Sequence, residues 1–153
     1  MTRWMLLFAL VAASGARALS PGDWAPAFKL KDLQGKEWTQ AEKGWVLVDF
    51  WASWCSPCIK EIPLLNALQD AHPAKLRVLG ISADKTQAAM LGAVKKRGIR
   101  YAVAWGDQKL AGAYGVQFPT AYLLKDGKVV KVLKGERKKG DFEKEVGKLV
   151  EGD

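Results

Sequence analysis

Metal-ligating and cross-linking residues are scarce in this chain. Among 153 residues there are two cysteines, one histidine and three methionines. Structural zinc usually needs four ligands, and beyond the first eighteen positions the set is Cys55, Cys58, His72 and Met90. Zinc or copper carriage is therefore weakly supported, and a scaffold built from several disulfides is excluded. Low-complexity tracts are missing too. The apolar block Trp4–Ala13 is short of the roughly 18 residues that a bilayer span needs.

What is present describes a globular chain of one domain, 49% hydrophobic and 26% charged. Thr2 and Arg3 lead into the apolar block, and "ARA" at Ala16–Ala18 has small residues where a signal peptidase reads. Residues 1–18 are thus expected to be a cleaved secretory signal, with an uncleaved anchor as the alternative, and residues 19–153 a single domain in the periplasm. The formal net charge is +8, and nine basic against five acidic residues fall between Lys125 and Lys148. Lys128, Lys131 and Lys134 lie between apolar residues, as on the wet face of a strand. An exported chain with that pattern has little use for nucleic acid.

The order of elements follows from periodicity. "FKL" and "KEWT" read as a hairpin around "DLQG", and Trp45–Trp51 as a strand buried on both faces. Helical spacing runs from Cys55 to about Ala71, with Ile59, Ile62, Leu65 and Leu68 on one side and a kink expected at Pro63. Leu76–Ala83 is a second buried strand. A helix should start near Asp84 and stop at Gly98. "IRYAVAWGD" reads as a short strand and "QKLAGAYGV" as a short helix. "TAYLLKDGKVVKVLKG" is a hairpin turning at "KDGK", and "KKGDFEKEVGKLVEG" an amphipathic closing helix. This order implies an α/β fold, a central mixed sheet with helices on both faces. His72, beside Pro73 at a helix end, reads as ordinary surface.

The two cysteines stand three positions apart, and closing so short a loop adds little stability. The pair is better suited to chemistry. At a helix start the first thiol meets unpaired N–H groups and the helix dipole, which stabilise its anion. Cys55 is then the exposed nucleophile and Cys58, one turn in, the buried resolving thiol. Pro57 fits the first turn, where its missing donor costs nothing.

"VDFWASWCSPC" resembles the active segment of the thioredoxin superfamily. With "IKEIP" behind it, the chain is most similar to the exported TlpA/ResA-like thiol–disulfide oxidoreductases, over nearly all of its length after the signal. The resemblance implies a thioredoxin-like fold with an N-terminal hairpin, and no cofactor besides the cysteine pair. It matches Pro119 to a cis-proline facing the cysteines and Phe118 to the lining of a substrate groove. Trp54, Ser56 and Pro57, which flank the sulfurs, complete the expected substrate-binding set. Asp49 matches a buried acid beneath the cysteines, and Glu61 an acid of the ResA-like branch. A proton-transfer role is expected for Asp49, with local hydrogen bonding as the alternative. Glu61 is open between a functional acid and a solvated helix residue.

No histidine or lysine stands between the cysteines, and ionised acids nearby would oppose a thiolate, so the disulfide should be hard to reduce and the protein a reductant. The resemblance supplies the partners: disulfide-containing exported proteins as substrates and a membrane-embedded electron donor. Apocytochrome c is the best-known substrate class of that family, but Thr120 follows Pro119 where the cytochrome-maturation branch has an acid, so that substrate is left open. A monomer is expected. The rivals are an oxidase or isomerase on the same fold and a metal carrier. A peroxidase would carry threonine or serine where Ala52 stands.

Overall fold

The computed structural model describes residues 17–153, so the expected signal, apart from its last two residues, lies outside the described residues. The valine-, leucine- and aromatic-rich runs become strands and the runs of helical spacing pack across them. In chain order these are β1 (Lys29–Lys31), β2 (Glu37–Thr39), β3 (Trp45–Trp51), α1 (Ser56–Ala71), β4 (Leu76–Ser82), α2 (Gln87–Arg97), β5 (Ala102–Trp105), α3 (Asp107–Tyr114), β6 (Thr120–Lys125) and β7 (Lys128–Lys134). A π-helical turn, Glu143–Gly147, runs into α4, Lys148–Glu151.

The five-stranded sheet has the order β5-β4-β3-β6-β7, and β1 and β2 form a separate antiparallel pair. β3, β4 and β5 run parallel, whereas β6 and β7 join antiparallel. Successive right-handed crossovers stepping in one direction put α1 and α2 on the same face. The segment 142–150 packs there too. Leu47, Trp51, Val78, Val103 and Leu123 of the sheet meet Cys58, Leu65 and Leu68 of α1, Met90 of α2, and Phe142, Val146 and Val150. On the opposite face Val48, Phe50, Leu79, Ile81 and Tyr122 meet Ala111 and Tyr114 of α3 and Phe28 and Trp38 of the hairpin. Asp126 and Gly127 both take positive φ, as a two-residue hairpin turn requires, and join β6 to β7.

Three local readings are corrected. α2 starts at Gln87 and not near Asp84: the Thr86 side chain caps it, accepting the Ala89 N–H at 3.2 Å, while the Asp84 carboxylate is engaged elsewhere. The closing element is a π turn followed by one short α segment rather than a regular helix. His72 is buried, not surface. Its Nδ1 lies 2.7 Å from Glu151 and its Nε2 2.9 Å from Glu143, so it ties both ends of the closing element to the end of α1. Partners so distant in sequence leave no local signal. α1 itself continues unbroken through Pro63.

Burial works to lower the His72 pKa, but the hydrogen bonds to Glu143 and Glu151 outweigh it and the pKa is raised. A raised histidine contributes stability that is fully present below the unfolded value of about 6.5 and is lost as pH rises through the folded one. Because both glutamates are half exposed, the contribution is discounted to about 1 kcal/mol. His72→Gln should therefore lower the thermal midpoint clearly at pH 6 and much less at pH 9, measured by scanning calorimetry at both pH values.

Candidate active site

β3 is buried along its whole length and delivers the chain to the cysteines. The Ala52 carbonyl accepts the Cys55 N–H at 3.0 Å, closing a turn. Cys55 is the N-cap of α1, with φ −90° and ψ 96°, and Pro57 occupies the first turn. The Cys55 sulfur accepts the Cys58 N–H at 3.3 Å. It therefore sits where the unpaired amides and the dipole of α1 favour negative charge. Cys55 and Cys58 are joined in a disulfide, with their Cα atoms 5.3 Å apart. The expectation of an exposed Cys55 is corrected, since it is 4% exposed and Cys58 2%. Both sulfurs pack into the core cluster with Trp51 and Ala52, so in the disulfide form the helix terminus, not accessibility, distinguishes them.

Two buried carboxyls stand on the elements that flank the pair, Asp49 on β3 and Glu61 on α1. Asp49, buried on β3, stands opposite Gly80 of β4 and Ala121 of β6 and shares a sheet face with Trp51. Burial first, and then the charge of Glu61, raise its pKa well above the usual carboxylate range. Glu61 is 2% exposed, which corrects the solvated-helix alternative. It points into the fold because the Arg137 backbone N–H donates to its Oε1 at 2.6 Å. Burial raises its pKa to about 7, against that hydrogen bond and the Arg137 charge, while Glu136 adds to the rise.

The rim is aromatic. Trp54, 61% exposed, and Phe118 meet edge to face with ring centroids 5.2 Å apart. Both line an open groove of about 330 Å³ with Ala83, Gln108, Gly112 and Val116. Ser56 is exposed at the first position of α1, Pro119 is buried just before β6, and the Phe118–Pro119 bond is cis. Among the described residues, no group of three or more His, Cys, Asp or Glu side chains is placed to hold a metal ion.

A family profile for AhpC/TSA matches residues 21–133. The chain belongs to the AhpC/TSA family. Similar proteins include the thiol–disulfide oxidoreductase ResA of Bacillus anthracis, 38% identical over 128 residues that cover 80% of this chain and 74% of that protein. ResA of Bacillus subtilis is 31% identical over 128 residues, covering 80% and 72%. Among solved structures, the thioredoxin domain of a thiol–disulfide oxidoreductase from Bacteroides vulgatus superposes with a TM-score of 0.75 at 28% identity, over 87% of this chain and 99% of that one. A putative thiol:disulfide interchange protein DsbE from Chlorobium tepidum gives 0.74 at 28% identity, over 86% and 95%. With its thioredoxin-like fold and paired cysteines, this AhpC/TSA chain is a thiol–disulfide oxidoreductase.

One part of this AhpC/TSA site escaped sequence reasoning. The buried Asp84 carboxylate accepts the Ser53 N–H at 3.1 Å, the Ser53 hydroxyl at 2.6 Å and the Ser82 hydroxyl at 2.7 Å. Trp105 donates its indole N–H to the Asp84 carbonyl at 2.7 Å. The loop between β3 and the cysteines is thus fastened to the end of β4. "SADK" after a strand gave only a helix-start signal, and nothing local pointed to Ser53.

Asp84→Asn weakens one acceptor that serves three donors and should cost about 1–3 kcal/mol in urea denaturation. It should also speed reduction of the disulfide by dithiothreitol, because loosening the loop that carries Trp54 and Cys55 opens the covered sulfurs to the reagent. The acid on α1 has a separate signature. Glu61 binds its proton more tightly folded than unfolded, so between its ordinary value of 4.5 and about 7 the unfolded chain releases a proton that the native state keeps. Stability should fall across that window as pH rises. In Glu61→Gln that fall should be smaller, the remainder coming from Asp49 and His72, whose pKa values are also raised, as shown by urea midpoints at pH 4.5 and pH 8.

Proposed function

We propose that this chain is an exported protein-disulfide reductase in which Cys55 is the nucleophile and Cys58 the resolving thiol. The observation that carries the direction of transfer is electrostatic. Among the described residues, no lysine, arginine or histidine hydrogen-bonds the Cys55 sulfur, whose partner is the Cys58 amide, and the strand and helix that flank it carry two buried acids, Asp49 and Glu61. A thiolate stabilised only by a helix terminus is moderately favoured, so the disulfide is a weak oxidant that takes up electrons poorly and the dithiol gives them readily.

The steps follow from that arrangement. The Cys55 thiolate attacks a disulfide of the substrate, breaking its S–S bond, and the leaving sulfur departs as a thiolate that takes a proton from solvent. Asp49 in its carboxylate form accepts the proton of Cys58. The Cys58 sulfur then attacks Cys55, and the bond to the substrate breaks with its electron pair on the substrate sulfur. Glu61, titrating near neutrality, returns the proton toward solvent. Trp54 and Phe118 provide an apolar rim for the substrate segment, with Ser56, Pro57 and Pro119 beside it.

The substrates proposed are disulfide-bearing exported proteins, with a membrane-embedded dithiol protein as electron donor and the chain acting as a monomer. The reading of residues 1–18 as a cleaved signal and 19–153 as the working domain supports a periplasmic location. No described helix is long and apolar enough to cross a membrane. Similarity to proteins named thiol–disulfide oxidoreductase ResA and thiol:disulfide interchange protein DsbE supports thiol–disulfide exchange, and the direction of transfer and the choice of substrate, cytochrome c precursors included, are for experiment.

Equilibration with glutathione buffers should give a reduction potential of roughly −250 mV or lower, on the thioredoxin side of the scale. A value near the −120 mV of a strong oxidant rejects the reductase and favours the oxidase. Cys58→Ser expressed in the native compartment should accumulate substrates covalently on Cys55.

A further inference from the structure

Among the described residues, three buried side-chain atoms have no hydrogen-bond partner: Trp51 Nε1, the Tyr101 hydroxyl and Arg137 Nε. Unpaired buried donors are costly and rare, so three in one molecule require a cause. All three belong to residues gathered around the two carboxyls. Trp51 is two positions from Asp49 on β3 and shares its face. A Cβ placed on Gly80, the β4 neighbour of Asp49, would lie 3.0 Å from Tyr101 Cε2 and 3.2 Å from Trp51 Nε1. The phenol and the indole thus meet over the backbone beside Asp49. Arg137 donates its backbone N–H to Glu61.

The placement of Tyr101 is built by α1. Asn66 accepts the Arg100 N–H at 2.9 Å and donates to the Gly98 carbonyl at 3.0 Å, which fixes the chain just before the tyrosine. The ring is 6% exposed, so its hydroxyl is withdrawn from bulk water.

We propose that Tyr101, aided by Trp51, is a positioning residue for the acid pair, its hydroxyl held without a partner in the resting disulfide form and donating to the carboxylate formed during exchange. The proposal rests on the reading of Asp49 as proton acceptor. Only ionised Asp49 can take the proton of Cys58, and a carboxylate buried among apolar side chains is present in small amount. Buried donors with no other partner, turning onto the carboxylate as it forms, enlarge that fraction. The titratable and charged groups around the pair are Cys58 from α1, Tyr101 before β5, and Glu136 and Arg137 after β7.

The test is Tyr101→Phe, which keeps the ring and removes the unpaired hydroxyl. Since no hydrogen bond of the resting state is lost, the thermal midpoint should hold or rise. Resolution is read as release of thionitrobenzoate from its mixed disulfide with Cys55, a step that needs Cys58. Its rate should fall about tenfold near pH 7, the pH midpoint should move alkaline, and the deficit should shrink at high pH. In an Asp49→Asn background the tyrosine substitution should have no further effect. Equal slowing in both backgrounds overturns the proposal. A slow Asp49→Asn beside a Tyr101→Phe with parental rate and pH midpoint overturns the role of Tyr101 alone. An Asp49→Asn as fast as the parent overturns the assignment of Asp49 itself.

Discussion

α1 packs on the sheet in an arrangement that is electrostatically awkward: it carries the buried Glu61, whose charge opposes ionisation of Asp49 buried on β3. Two acids can share an apolar interior when at least one keeps its proton. The same helix carries Cys55 at its N-terminus and Cys58 one turn later. One packing arrangement thereby joins the anion-stabilising end of a helix to a pair of groups able to take up and release protons. The dipole of α1 favours a sulfur anion.

The rest of the fold keeps α1 in place largely through polar residues on its buried side. Asn66 pins the connection between α2 and β5. Gln69 bridges to β4, donating to the Leu76 carbonyl and accepting the Val78 N–H, each at 2.7 Å. Glu61 receives the backbone of the segment after β7, and His72 at the helix end collects the closing element. These bonds are satisfied by backbone groups or by side chains remote in sequence. They make the helix a junction for the chain segments around it, and they hold the cysteines in register with β3.

The hydrophobic runs were sufficient for the succession of elements along the chain and for the position of the cysteines, because burial on one or both faces imposes a period that is visible locally. Trp45–Trp51 and Leu76–Ala83 could only be inner strands, and the "KDGK" turn sets its own hairpin. Misreadings occurred where a polar side chain serves a distant partner. Asp84 resembles a helix cap and instead fastens Ser53, while His72 resembles surface and instead bridges two glutamates. Glu61 could be read either way, since its environment depends on a loop 76 residues later.

From its sequence alone the chain specified its class of chemistry. Two thiols in C-x-x-C spacing, at the end of an apolar strand and the start of a helix, leave little besides thiol–disulfide exchange, because that spacing places one sulfur on unpaired amides and the other within reach. Tertiary structure alone decided the state of the groups around them. Whether a carboxyl is charged, a tyrosine hydroxyl partnered or a cysteine covered depends on what packs against it from other segments. Desolvation is a property of the assembled interior, and no stretch of sequence contains it.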